Sequence, residues 1–200
     1  MRTQKLAVTA VCIWAAASAL AQKPTISIQV VDNFGAPKGV IPAAQKEATR
    51  ILGAAGVNVD WRKGPAPNGL TLFLVERRMV PAKDVALGYS FVGTHSVEEL
   101  DVAHLLYPAI ERKARDGQTG ISTVLGAVMA HEIGHLLLNS NDHSPTGVMS
   151  AVFEFTQIAE AARGHLLFTA SQAARIRSRV TLRGYTDAGV PRSPKLAGTH

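Results

Sequence analysis

The chain has 200 residues, with 21 basic and 15 acidic side chains and a formal net charge of +6. This length suits one domain with a sizeable hydrophobic core. The basic excess is modest and no aromatic interleaving or nucleic-acid-binding motif accompanies it, so we expect no nucleic-acid partner.

The first 21 residues have the features of a secretory signal peptide. A basic start is followed by an apolar stretch from Leu6 to Leu20, and residues 19–21 (ALA) match the A-x-A pattern of a cleavage site. A membrane span takes about 20 apolar residues, so we expect cleavage after Ala21, no stable membrane insertion afterwards, and a secreted or periplasmic protein. The only cysteine, Cys12, lies in this segment, so the mature chain would form no disulfide. It would carry 19 basic and 15 acidic side chains, a net charge of +4.

A βαβ unit is predicted at the start of the mature domain. Thr25 to Val31 alternates and is rich in β-branched residues, which indicates a strand. Val40 to Ala55 has apolar residues at helical spacing, and Gly56 to Trp61 (GVNVDW) indicates a second strand. A strand, a helix and a strand in this order form a right-handed unit with two parallel strands.

Three further strands and a helix are predicted next. The apolar run Leu70 to Glu76 is typical of a central strand. Ala86 to Val92 indicates a fourth strand and Val102 to Tyr107 a fifth. Proline fits the first turn of a helix, so we predict a helix from Pro108 to Arg115. The expected fold class is α/β, with a twisted mixed sheet.

A buried helix is predicted from Gly120 to Leu138, which is almost wholly apolar. Gly126, Ala130 and Gly134 fall at i, i+4 and i+8 and would form a ridge of small residues. Each helical glycine costs about 1 kcal/mol relative to alanine. We therefore expect a neighbouring segment to pack closely on this ridge.

This helix contains the motif HExxH. His131 and His135 are one turn apart on the same face, so both can direct an imidazole nitrogen at one metal ion. Glu132 is about 100° round the helix, which disfavours it as a ligand but suits a general base that takes a proton from water. The alternative is a fortuitous motif with two hydrogen-bonded core histidines. Burying these three polar side chains without partners would be costly.

The third ligand is expected from the segment that follows the helix. Residues 139–142 (NSND) favour a turn, which would end the helix and reverse the chain. His143 comes next, and a third neutral imidazole would complete a three-histidine Zn²⁺ site. Asp142 competes for this position. In another class of zinc peptidase, Glu154 or Glu160 would supply the ligand from a later helix.

The segment from His131 to Met149 resembles the metzincin zinc peptidases. Their pattern is HExxHxxGxxH or HExxHxxGxxD, followed by a turn whose methionine lies beneath the metal. The Ser-Pro turn after His143 is similar to the matrixin branch, and GVNVDW is similar to the opening of many metzincin domains. The resemblance is specific only over about twenty residues around the motif.

The sequence departs from this pattern at three points. Leu138 stands at the family's glycine position, Asn141 stands at its third-ligand position, and His143 comes two residues later. An asparagine at 139 or 141 could supply the left-handed turn instead of glycine. A longer loop could absorb the two additional residues.

The resemblance implies an exported zinc metallopeptidase acting on a peptide or protein substrate. It implies that His131, His135 and His143 bind Zn²⁺, that Glu132 is the general base, and that Met149 is the Met-turn residue. The implied fold is metzincin-like, with a βαβ start, a buried zinc-binding helix and a smaller C-terminal subdomain that holds the Met-turn and a final helix. The alternative function is a non-catalytic binding or structural domain in which four protein ligands hold zinc.

The resemblance also implies a role for the strand nearest the site. In metzincins this strand runs antiparallel at the sheet edge and pairs with an extended substrate, and here it would be Gly88 to Val92. Backbone pairing would give little side-chain specificity. The alternative is an edge strand that merely faces solvent.

The C-terminal part is predicted to hold packing residues, a helix and a tail. Phe153 and Phe155 are expected in the core, with substrate-pocket lining as the alternative. Thr169 and Gln172 form a capping box that opens a helix to about Val180. The metallopeptidase domain would thus span residues 22–180, and residues 181–200 would form a flexible basic tail. The arginines after residue 163 are expected to form a solvated basic face.

Overall fold

Five strands form a single mixed sheet in the computed structural model, which describes residues 23–77, 86–92 and 101–187, with side chains up to residue 184. The sheet order is β2-β1-β3-β5-β4, and β4 runs antiparallel to β5 while the other pairings are parallel. The chain is therefore α/β with a mostly parallel sheet, and the antiparallel edge strand lies where it was expected. The strands are β1 (Thr25–Asp32), β2 (Asn58–Arg62), β3 (Leu70–Val75), β4 (Gly88–Ser90) and β5 (Asp101–Leu106).

Within the described residues five helices accompany the sheet, and most were predicted. The βαβ start is confirmed, because β1 and β2 are parallel and α1 lies between them. Pro108 lies in the first turn of α2, directly after β5, as expected. The helices are α1 (Val40–Ala54), α2 (Tyr107–Asp116), α3 (Ile121–Leu138), α4 (Phe155–Ala162) and α5 (Ala170–Asp187).

Helix α4 was missed by the sequence analysis, although the sequence holds a signal for it. The Glu154 side chain accepts a hydrogen bond from the backbone of Gln157, and the Gln157 side chain accepts one from the backbone of Glu154. This is a reciprocal capping box with glutamate in place of serine or threonine. The helix is only eight residues long, so its apolar periodicity is too short to stand out.

Helix α3 lies at the centre of the domain. Every residue from Val124 to Leu138 is buried. By length and composition this helix could cross a membrane, but 83% of it is buried inside the protein, as expected for a core helix. Its N-terminal half packs on α1 and its C-terminal half carries the HExxH residues, so the core fixes the position of the motif.

The small residues of α3 have the packing role that was expected. A Cβ atom on Gly126 would lie 2.6 Å from the Ala44 carbonyl oxygen and 2.6 Å from the Glu47 Cβ atom. A Cβ atom on Gly134 would overlap the Met149 sulfur and lie 2.8 Å from a Phe168 ring carbon. The first glycine therefore lets α1 approach, and the second makes room for Met149.

Replacing Gly126 by alanine should destabilise the domain although alanine favours helix. Overpacking a tight core typically costs about 1–3 kcal/mol, which exceeds the gain in helix propensity of about 1 kcal/mol. Gly53 in α1 is the matched control, because a Cβ atom there meets nothing within 4 Å. Urea denaturation should show a lower midpoint for Gly126→Ala and an equal or higher one for Gly53→Ala. Equal midpoints for both variants would contradict the close packing of α1 on α3.

The arginines of α5 connect this helix to other elements. Arg175 donates to the Leu138 carbonyl at 3.2 Å, and Arg177 donates to the Ala55 carbonyl at 2.8 Å. Arg183 forms an ion pair of 2.5 Å with Asp101, and both side chains are largely buried. Arg175 and Arg177 are exposed, as the predicted solvated basic face requires. The contacts that these two arginines and Arg183 make with other elements were not predicted.

The C-terminal boundary also differs from the prediction. The tail was expected to begin at Thr181, but α5 continues to Asp187. The physical reason is the Arg183 ion pair, since it holds the last turns of α5 against the start of β5. The remainder of the predicted tail, from residue 188, and the predicted signal peptide lie outside the described residues.

Candidate metal centre

Two backbone carbonyls fix the rings of His131 and His135. His131 Nδ1 lies 2.7 Å from the Val148 carbonyl oxygen, and His135 Nδ1 lies 2.8 Å from the Ser140 carbonyl oxygen. A carbonyl oxygen can only accept, so both Nδ1 atoms must carry the hydrogen. In the neutral form of each ring, Nε2 then has no hydrogen and presents a lone pair.

These two lone pairs point at each other. The His131 and His135 Nε2 atoms are 2.9 Å apart, and two bare nitrogens this close repel unless a cation lies between them. Burial lowers the pKa of His131 to about 3, with a further contribution from His135, and burial also lowers the pKa of His135. Both lowered pKa values disfavour protonation of the rings, so a proton is not suited to lie between the two nitrogens. Two nitrogens on a tetrahedral zinc would be about 3.3 Å apart, so the pair fits a metal ion with a small adjustment.

His143 is brought to the same point by the turn after α3. The helix ends at Leu138, and Asn139 takes a left-handed conformation with φ 49° and ψ 49°. This asparagine supplies the turn for which the metzincin pattern uses glycine. The His143 ring centroid then lies 5.4 Å from that of His131 and 4.9 Å from that of His135.

The three histidines are close enough to bind one metal ion. Their candidate ligand nitrogens all lie within 4.8 Å of one another. His131 and His135 are buried, while His143 is exposed. The donor set of three imidazoles suits a transition metal of the zinc type. This grouping, including the displaced His143, is the one predicted from the sequence.

The competing third ligands have other partners. The Asp142 carboxylate accepts a hydrogen bond of 2.7 Å from the Ser140 hydroxyl, whose oxygen accepts one from the Asp142 amide. Glu154 caps α4, and Glu160 pairs with Arg163 at 3.2 Å. Across residues 23–77, 86–92 and 101–187, the metal-competent group of histidine and acidic side chains contains the three histidines alone.

Residues 144–150 form a turn beside the metal centre. The Ser144 amide donates to the Met149 carbonyl at 2.9 Å, and the Val148 amide donates to the Leu167 carbonyl at 2.9 Å. Met149 is fully buried and its sulfur lies against Gly134. The turn thus presents the Val148 carbonyl to His131. This carbonyl and that of Ser140 were not predicted, because every residue type carries the same backbone acceptor.

Glu132 lies on the cleft side of α3 and is only 3% exposed. Its carboxylate is close to the backbone of β4, because a Cβ atom on Gly88 would lie 2.6 Å from Glu132 Oε1. The arrangement therefore puts a carboxylate between the edge strand and the histidine cluster. Such a group can exchange a proton with a molecule bound in the cleft.

The histidines and Glu132 form the floor of a cleft of about 250 Å³. One wall is the segment from Ala86 to Ser90, and the other is the segment from Ala151 to Phe153. Phe153 is buried and its ring lies edge-on to His131 at 5.6 Å. The prediction that Phe155 packs in the core is wrong, because this residue begins α4 at the surface and is 76% exposed.

The metal-free protein should lose stability as the pH falls below about 6.5. His131 is protonated near pH 6.5 when unfolded but only near pH 3 when folded, so the unfolded state binds more protons between these values. Stability then falls with decreasing pH, by at most about 1.4 kcal/mol per pH unit for this residue. Urea denaturation in chelator at pH 5.5 and 7.5 measures this, and His131→Gln should show a smaller pH dependence. An equal dependence in the variant would contradict the assignment to His131.

No protein-family model and no curated protein matches this chain. The metzincin resemblance therefore rests on the residues from His131 to Met149 and on the arrangement described above. What the structure establishes is a three-histidine group, close enough to bind a metal, in a mixed α/β domain.

Proposed function

We propose that this chain is an exported zinc metallopeptidase of the metzincin type. The supporting observation is the pair of Nε2 atoms 2.9 Å apart, in rings whose Nδ1 atoms both donate to carbonyls. Two unprotonated nitrogens this close repel each other unless a cation binds between them. His143 has a nitrogen close enough to bind the same cation. A catalytic zinc has three protein ligands and one open position, which matches the three histidines.

Zinc is the metal we infer for this centre. Neutral imidazole binds zinc, copper, nickel and iron, but three imidazoles with an adjacent carboxylate are typical of hydrolytic zinc sites. The carbonyls of Val148 and Ser140 would orient the two ligand rings by accepting a hydrogen bond from each Nδ1. They hold each ring in the tautomer that binds a metal through Nε2.

Glu132 would act as general base and then as general acid. When bound, zinc polarises the scissile carbonyl and lowers the pKa of water to about 7. Glu132 would take a proton from the attacking water and deliver it to the leaving amine. Its burial against β4 supports this role, because a carboxylate held in one position loses little entropy when it transfers the proton.

The substrate would bind along β4. Among the described strands, β4 pairs with β5 alone. We infer that its other edge pairs with an extended peptide. The walls of the cleft carry apolar and small polar side chains between residues 86 and 90 and between 151 and 153. We therefore infer a peptide or protein substrate that is held mainly through its backbone. Export is inferred from residues 1–21.

The test is zinc content together with hydrolysis. The chain starting at Gln22 would be purified, its metal measured, and its turnover of a fluorescently labelled unfolded protein followed with chelator and after zinc is restored. We expect one zinc per chain and turnover that chelator stops and zinc restores. Bound zinc without turnover of any peptide would favour the non-catalytic domain. Failure to bind zinc at all would overturn the proposal.

A further inference from the structure

Gly88 has no conformational reason to be glycine. It is the first residue of β4, a strand position that any residue can occupy, and its φ is not positive. The constraint is one of space. A Cβ atom there would lie 2.6 Å from Glu132 Oε1, 3.0 Å from Glu132 Cδ and 2.9 Å from the His104 carbonyl oxygen.

Strand β4 is held in place from its other face. Tyr89 points away from α3 and stacks on His104, with ring centroids 4.7 Å apart and planes 6° from parallel. His104 in turn stacks on Phe73 at 5.4 Å. The three rings lie in register across β4, β5 and β3. This aromatic ladder resists any outward movement of β4.

Hydrogen bonds to β5 just before and just after β4 add to this restraint. The Leu106 amide donates to the Leu87 carbonyl at 2.8 Å, and the Phe91 amide donates to the Val102 carbonyl at 3.3 Å. Helix α3 on the opposite side is part of the core. Because neither element can yield easily, a side chain at position 88 would displace the movable carboxylate of Glu132 and would also press on the His104 backbone carbonyl.

We propose that Gly88 is a positioning residue for Glu132. The missing side chain leaves the space in which the carboxylate lies beside the three histidines, and any larger residue rotates the carboxylate out of that space. The inference rests on the proposed function for its effect on turnover. The steric relationship between the two residues does not depend on it.

The test is Gly88→Ala, with Gly53→Ala as the matched control in open space. A general base contributes about 10²- to 10⁴-fold to the rate, so a displaced carboxylate should lower kcat by about 10- to 100-fold. We expect KM to change by less than about 3-fold and zinc to stay at one per chain, because the histidines are untouched. Unchanged kcat in Gly88→Ala would overturn the proposal.

A second pair of measurements separates the positioning role from simple damage to the fold. Glu132→Asp, with its shorter side chain, should lower kcat in the wild type but have little further effect in Gly88→Ala, because it restores the missing space. Urea denaturation gives a readout without turnover, in which Gly88→Ala should lower the midpoint less in a Glu132→Ala background than in the wild type. Additive effects on stability would overturn the steric inference. An inactive wild type with this stability coupling intact would overturn the proposed function alone.

Discussion

Replacing Glu132 by glutamine should stop hydrolysis while leaving zinc bound. Glutamine has the same shape and fits the same space beside Gly88, but its amide cannot take a proton from water. Loss of general acid–base catalysis typically lowers the rate by about 10²- to 10⁴-fold. We expect this loss in kcat, with KM nearly unchanged, because in the proposed mechanism neither substrate pairing with β4 nor metal binding by the histidines uses this carboxylate. Steady-state kinetics on a labelled peptide, with zinc content measured on the same sample, provides the check.

Glu160→Gln is the matched control for this experiment. Glu160 lies on α4, where it pairs with Arg163 at the surface, so its substitution should leave kcat unchanged. The result that counts against the mechanism is turnover in Glu132→Gln within a few-fold of the wild type. In that case another group would have to accept the proton, and the carboxylate of Glu132 would have only a structural role.

The histidine centre could be predicted because its determinants are local in sequence. The spacing of His131 and His135 fixes their common face on a helix, and an almost wholly apolar stretch predicts that this helix is buried. Asn139 is one of the few residues that adopt a left-handed conformation readily, so a reversal after Leu138 was foreseeable. The turn then needed only a few residues to bring His143 within reach.

The groups that orient the centre could not be predicted in the same way. Val148 offers a backbone carbonyl to His131, and any residue at position 148 would carry the same carbonyl. Gly88 in β4 lies against Glu132 in α3, more than 40 residues later in the chain. The local sequence of β4 does not indicate this contact. Residue type reports side-chain chemistry, whereas these contacts depend on how distant backbones pack.

In the sheet, the positions of strands could likewise be predicted from local sequence, whereas the neighbour and direction of β4 could not. Alternation and β-branching located β1, and a continuous apolar run located β3, because each of these patterns belongs to one strand by itself. The antiparallel edge position of β4 was expected only through the metzincin resemblance. Its strand of three residues is too short for a pattern to reveal its neighbour or its direction. The tethers made by Arg175, Arg177 and Arg183 were likewise invisible, since sequence shows their charge but not the carbonyl or carboxylate that each meets.

The His143→Ala variant should bind zinc much more weakly than the wild type. Two imidazoles would remain, and losing a ligand should weaken binding by more than the roughly 10- to 100-fold typical of replacing a group that only hydrogen-bonds to a ligand. At a zinc concentration of about 1,000 times the dissociation constant, bound metal stabilises the folded state by about 4 kcal/mol. A 100-fold weaker site at the same concentration retains only about 1.4 kcal/mol of this stabilisation. Calorimetric titration with zinc and urea denaturation with and without zinc measure both effects.

Two controls decide which residue is the third ligand. His165 is 69% exposed at its side chain and pairs with Glu160, so His165→Ala should bind zinc like the wild type. Asp142→Ala removes the neighbouring carboxylate, which is engaged with Ser140, and should also keep zinc. If Asp142→Ala loses the metal while His143→Ala retains it, the centre has two histidines and one aspartate. That ligand set would carry one more negative charge and would reduce the ability of the metal to activate water, so the hydrolytic proposal would then depend on Glu132 to a greater degree.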